Sequence, residues 1–159
     1  WLHIDREVSE AWSIPQLAAD LQIDRHLTVT MRQTDRQLAA LYSLCTVTIA
    51  PGRGEGFGYP IVESQACGTP CVHVEYAGGA EFTPYTVLPL CYHLVGPYAL
   101  KRPILDPAEV ADTIRRLFFD HPIEPNRAVH QQRVAHLAWP TLWPLWEDWV
   151  RRGLAPSRS

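Results

Sequence analysis

At 159 residues, with 47% apolar and 19% charged side chains, the chain has the composition of a globular domain rather than a disordered or collagen-like one. A formal net charge of -3 gives no electrostatic basis for gripping nucleic acid or an anionic membrane surface. No apolar run approaches the roughly 20 residues of a spanning helix, and no signal-peptide pattern opens the chain. The first residue is Trp1 rather than Met, and Leu2-His3-Ile4 already reads as the inside of a strand. The chain is therefore expected to be a piece of something longer.

Residues 2–4 form the first predicted strand. Ser13 followed three residues later by Gln16 is a capping-box signature, and Leu17, Ala18 and Leu21 supply an apolar stripe for a helix ending before Asp24. Residues 27–31 read as a second strand. Thr34 and Gln37 repeat the capping box and open a helix with Leu38, Leu41 and Tyr42 on one face. Residues 45–50, Cys-Thr-Val-Thr-Ile-Ala, are β-branched and apolar, as a buried parallel strand is. A glycine-rich turn follows, then a short helix with Pro60 near its start and Gly68 just past its end.

Residues 71–74 make the next strand, and Ala77-Gly78-Gly79 a second turn followed by Glu81. From 82 to 103 the pattern loosens; 86–88 and 90–95 are candidate strands interrupted by Pro84, Pro89 and Pro97. Asp106-Pro-Ala-Glu is a clean helix start, with Val110, Ile114, Leu117 and Phe118 on one face. Two helical segments, 126–139 and 141–152, are expected to be kinked or separated at Pro140. Trp139, Trp143, Trp146 and Trp149 give this tail an aromatic stripe whose expected role is packing, in a core or an interface. Residues 1–154 read as one domain and 155–159 as a loose tail. Strands alternating with helices predict an α/β fold, a parallel sheet covered on both faces, with ligands at the carboxyl ends of the strands.

The four cysteines, Cys45, Cys67, Cys71 and Cys91, have poor metal spacing and read as buried and reduced, which favours the cytoplasm. His130 and His136 lie six apart on a predicted helix and face different ways, so no metal site is expected.

The chemistry concentrates between Gly52 and Cys71. Gly52, Gly54, Gly56 and Gly58 alternate, which lets the backbone take positive φ and turn a run of N–H groups toward an anion. Strand, glycine turn and helix together present backbone donors and a positive dipole end to a phosphate. Glu55 and Glu63 frame the turn with seven residues between them. Beside a diphosphate, ionised carboxylates are placed to accept from hydroxyls, those of a sugar or a ribose. A nucleotide-sugar satisfies both halves of the motif. The dinucleotide fingerprint Gly-x-Gly-x-x-Gly is not met.

Glu55-Gly-Phe-Gly-Tyr-Pro-Ile-Val-Glu63, followed by Ala66-Cys-Gly-Thr-Pro-Cys-Val, resembles the Glu-x7-Glu signature of retaining GT-B-type glycosyltransferases of the glycogen-synthase and sucrose-synthase-like superfamily. Leu41-Tyr42-Ser43, residues 47–51, Gly78-Gly79 with Glu81, and the helix after Asp106 are similar to that family's neighbouring elements. The resemblance implies a Rossmann-like domain, one half of a GT-B fold, that binds the donor. It implies that Glu63 holds the ribose hydroxyls, that Glu55 is the catalytic-site carboxylate contacting hydroxyls of the transferred sugar, and that Gly56, Phe57 and Gly58 line the sugar and diphosphate. Thr30 and Met31, at the end of the second strand, match the start of the nucleobase wall. The family works without a metal or other cofactor, so none is expected.

Two departures accompany the likeness. The family's Arg and Lys that clamp the diphosphate lie after a first strand that this chain lacks, leaving Arg53 as the nearby cation, either a phosphate contact or a solvated loop residue. The N-terminal acceptor domain is also missing. The expectation is thus the C-terminal domain of a hexosyl-type transferase using a UDP-, GDP- or ADP-sugar in polysaccharide or glycolipid biosynthesis, with this fragment alone inactive. The alternative is a non-catalytic nucleotide-sugar-binding or docking module that partners another chain; a nucleotide-sugar epimerase of the same fold is a third reading.

Overall fold

The computed structural model describes residues 1–3, 13–120 and 126–154. Ile4 of the predicted first strand and the predicted tail 155–159 lie outside them. The chain divides into two compact units, Trp1–Leu38 and Ala39–Ser159.

In the first unit, β1 (Leu2–His3) pairs in parallel with β2 (Val29–Thr30), Leu2 opposite Val29. Ser13 caps α1 (Ile14–Asp20) as its sequence predicts, its Oγ accepting from the Gln16 N–H at 3.3 Å. The box is only half closed, because the Gln16 amide donates to Asp20 instead (2.8 Å). Of the predicted stripe on α1, Ala18 is buried and Leu17 and Leu21 are exposed. The second box closes fully: the Thr34 N–H donates to Gln37 Oε1 (2.9 Å), and the Gln37 N–H donates to Thr34 Oγ1 (3.4 Å). Two N–H groups that the helix leaves orphaned are thus satisfied at the start of α2 (Asp35–Leu44).

In the second unit, β3 (Thr48–Ala50), β4 (Cys71–Val74) and β5 (Thr86–Val87) form a parallel sheet in that order. Thr48 stands opposite Cys71, Ala50 opposite His73, and His73 opposite Thr86. The middle strand, β4, is buried along its whole length, as a parallel strand with neighbours on both edges should be. The helix α3 (Tyr59–Ala66) packs on β3 and β4, and α5 (Arg127–Val134) packs on α3. Gln131 of α5 donates to the Ala66 carbonyl at 3.2 Å, and Gly68 is left without a Cβ where the Arg127 side chain crosses. The helix α4 (Pro107–Arg115) is capped by Asp106, which accepts from the Ala108 N–H at 2.8 Å, and lies against β5.

Three features depart from the sequence reading. First, β6 (Cys91–Val95) continues into an antiparallel partner, β7 (Leu100–Ile104), where no strand was expected. Cys91, on the exposed strand β6, is itself exposed rather than buried. Second, the break in the tail falls at Ala138, which is extended (ψ 139°), and not at Pro140. Pro140 sits in the first turn of α6 (Trp139–Leu154), where its missing N–H is harmless, and Pro144 lies inside that helix. Third, Trp139, Trp143, Trp146 and Trp149 are 67, 62, 54 and 65% exposed, so among the described residues the stripe packs into no core. Its indoles pair edge-on with one another instead, Trp139 with Trp143 and Trp146 with Trp149. No helix among the described residues is long and apolar enough to cross a membrane.

Candidate donor site at the glycine turn

All three strands of the parallel sheet point their carboxyl ends the same way, so the turns after β3 and β4 emerge at one edge. They touch. A Cβ on Gly78 would overlap the Gly56 carbonyl oxygen, and one on Gly58 would lie 3.1 Å from the Gly79 Cα. Gly58 is in the left-handed region (φ 85°, ψ 52°) and is the N-cap of α3. Its carbonyl accepts from the Ile61 N–H at 3.0 Å and from the Val62 N–H at 3.4 Å.

The alternating glycines were expected to share positive φ, but in this turn only Gly58 adopts it. The others serve other ends. Gly52 leaves room for the Glu55 side chain, Gly54 for the Arg102 guanidinium, and Gly56 faces open space with nothing within 4 Å of an added Cβ. Pro60 has no N–H, and those of Ile61 and Val62 turn back to Gly58. The first turn of α3 thus leaves neither Ile61 nor Val62 with a free N–H.

The two carboxylates occupy different settings. Glu63, half-buried on α3, accepts from the Tyr42 hydroxyl through Oε2 at 3.2 Å. Burial, then the Glu63 charge, pushes the Tyr42 phenol well above its ordinary range, so Tyr42 remains a donor that fixes the carboxylate. One Glu63 oxygen is thus held from inside the protein by Tyr42. Glu55 is half-buried on the turn with its side chain folded over Gly52. Phe57 is 40% exposed and packs against Phe82 (centroids 4.9 Å) and Tyr59 (5.1 Å), which stiffens the turn between its glycines.

Beneath the paired turns lies His73, 1% exposed. Its Nδ1 is 2.5 Å from the Ala50 carbonyl, which can only accept, so Nδ1 carries the proton. Nε2, next to Gly79, is buried and has no hydrogen-bond partner among the described residues.

The structure thus brings Glu55, Gly56, Phe57 and Gly58 onto one turn and Glu63 onto the helix that leaves it. Thr30 ends β2 in the first unit and Met31 follows it; Thr30 Oγ1 is 3.1 Å from His3 Nδ1, and Met31 is 44% exposed. Tyr42 as the partner of Glu63 was not foreseen, since 21 residues separate them and only its helical face was legible. A cavity of about 410 Å³ opens beyond β5, lined by Leu88, Leu90, Asp106, Glu109 and Arg116 among others, and none of the predicted site residues lines it.

The cysteines near the site allow a chemical check. Burial, reinforced by the Glu55 charge, pushes the Cys71 thiol up to about 12, and burial raises Cys67 as well. Because only the thiolate attacks, iodoacetamide at pH 8 is expected to modify exposed Cys91 in the native protein and to reach Cys71 only after urea unfolding. Peptide mass mapping reads the order; labelling of native Cys71 would contradict its burial.

A parallel sheet whose glycine turn feeds the helix of Glu63 is an α/β arrangement similar to a GT-B glycosyltransferase domain. Comparison with known proteins agrees. Residues 9–83 match the family described as Glycosyl transferases group 1. The D-inositol 3-phosphate glycosyltransferase of Mycobacteroides abscessus is 35% identical over 71 residues, 45% of this chain and 16% of that protein. That of Frankia alni is 33% identical over 105 residues, 66% of this chain and 23% of that protein. The fold matches the pneumococcal O-GlcNAc transferase GtfA, solved with UDP and GlcNAc, with a TM-score of 0.67 at 18% identity, over 89% of this chain and 27% of that one. The matched part of this chain thus spans only a minor fraction of the length of these relatives.

Proposed function

We propose that this chain is the donor-binding domain of a retaining, metal-independent, hexosyl-type glycosyltransferase that uses a nucleoside diphosphate sugar. The observation that carries the reading is Glu63, half-buried at the outlet of the glycine turn and held by Tyr42. In this reading Glu63 takes the ribose hydroxyls, and Glu55 contacts hydroxyls of the transferred sugar. The backbone of Gly56, Phe57 and Gly58 faces the sugar and diphosphate, and Thr30 and Met31 begin the nucleobase wall. When the bond from the sugar to the diphosphate breaks, negative charge grows on the departing nucleotide, and the N–H groups of the turn stabilise it there. The acceptor would be held by a further domain outside this chain, so the chain alone would not turn over. A cytoplasmic role in polysaccharide or glycolipid synthesis belongs to the same proposal.

The exposed tryptophan face of α6 favours a second reading as well, a nucleotide-sugar-binding module that docks on another chain without catalysing transfer. The two readings share a donor pocket, so binding is tested first. In calorimetric titrations with UDP, GDP and ADP, one nucleotide is expected to bind saturably. Glu63→Ala is expected to weaken it at least about tenfold, about 1.4 kcal/mol. A folded chain that binds none of the three, or binds one equally well without Glu63, would overturn the donor reading.

A further inference from the structure

The β6–β7 hairpin reaches the glycine turn through two reciprocal bonds. Arg102 Nη1 on β7 donates to the Arg53 carbonyl at 3.1 Å, and Arg53 Nε donates to the Pro103 carbonyl at 3.1 Å. The Arg102 guanidinium lies where a Cβ on Gly54 would be, so this glycine makes room for a cation rather than for a ligand. Pro103 is fully buried, and Arg102 is half-buried. The hairpin is also tied to the turn after β4: the Tyr76 hydroxyl donates to the Lys101 carbonyl at 2.5 Å, and the Tyr76 and Tyr92 rings lie 5.7 Å apart.

A bond to one carbonyl needs one donor. Arg102 brings five N–H groups and a full positive charge, and one of those groups is used on Arg53. Among the described residues, the ion pairs lie on α4 with the π-helical segment Arg116–Asp120 that follows it and on α6; no carboxylate pairs with Arg102 or Arg53. Among the described residues this half-buried guanidinium meets no counter-charge, and it lies against a turn that is open at Gly56.

We propose that Arg102 both positions the glycine turn and supplies the cation that receives the diphosphate of the bound nucleotide. This rests on the donor reading above. The lock keeps the turn in register with the hairpin, and the positive charge attracts the phosphate oxygens beside it.

The test separates charge from lock in the full chain, with UDP as probe. Arg102→Gln keeps an amide donor for the Arg53 carbonyl and loses the charge; Arg102→Lys keeps the charge and loses the fork. Expected is UDP binding within about threefold of wild type for lysine, and at least about tenfold weaker for glutamine. The wild-type and lysine forms should also lose UDP affinity with added salt more steeply than the glutamine form. Urea midpoints show whether each variant is folded, and a variant that does not fold leaves the other to decide by its own expected affinity and salt slope. Wild-type UDP affinity in the glutamine variant, equal losses in both variants, or an unchanged salt slope would overturn the proposal. If wild type binds UDP through Glu63 while Arg102 proves indifferent, only this inference falls. If wild type does not bind UDP, or binds it without need of Glu63, the assignment of this site to a uridine nucleotide falls with it.

Discussion

Alanine at position 58 is expected to destabilise the protein by about 3 kcal/mol, read as a lowered urea midpoint with an unchanged slope. Two causes add. Gly58 sits at φ 85°, and an L side chain there costs roughly 1–2 kcal/mol. The new Cβ would also stand 2.9 Å from Ile61 Cδ1 and 3.1 Å from the Gly79 Cα, an overpacking worth roughly 1–3 kcal/mol. The second neighbour is backbone and cannot swing aside, so relief has to come from the glycine turn itself. Nucleotide affinity should therefore fall together with stability. A Gly58→Ala protein with the wild-type midpoint would mean the turn is softer than these contacts imply.

Ile61→Ala is expected to cost about 4 kcal/mol, within the roughly 2–5 kcal/mol seen for large core truncations. Ile61 is 0% exposed, and its Cδ1 lies in the seam between the two glycine turns, 2.9 Å from the Gly58 Cβ position and 2.5 Å from that of Gly79. Removing it opens a void at the one place where α3 and both turns meet. Ile61→Val removes Cδ1 alone and should cost about 1 kcal/mol. Combined with Gly58→Ala, that valine should recover part of the steric penalty but none of the φ penalty. The coupling would be roughly 1 kcal/mol in a double-mutant cycle. Strict additivity would show that the two side chains do not share that space.

Local signals in the sequence were legible where one residue settles the geometry. Thr34 and Gln37 close their box, Asp106 caps α4, and Pro60 and Gly68 bracket α3. The strand β4 was read at its observed bounds because its apolar run matches burial on both faces. Signals that depend on pairing were not legible. Nothing in Leu-Lys-Arg-Pro-Ile announces a strand: Pro103 lacks a donor, Lys101 and Arg102 are charged, and the segment is ordered by Cys91–Val95 across the hairpin. The same holds for Arg102, whose bond to the Arg53 carbonyl joins positions 49 residues apart through a contact no spacing encodes. The alternating glycines read as sharing left-handed backbone freedom, which in this turn only Gly58 uses. Side-chain room explains Gly52 and Gly54 better than backbone conformation does, and only a structure shows which side chain arrives there.

The helix α6 carries four of the six tryptophans, every one more than half exposed. Indole dominates protein fluorescence, so much of the light emitted by this protein will come from one water-facing helix rather than from the packed sheet. Emission from those four indoles should already be red-shifted in the native state and change little when β3, β4 and β5 come apart. A spectroscopic titration or melt followed at this wavelength would then report on the α6 face. Whatever covers that face would announce itself as a blue shift, in a channel separate from events at the glycine turn.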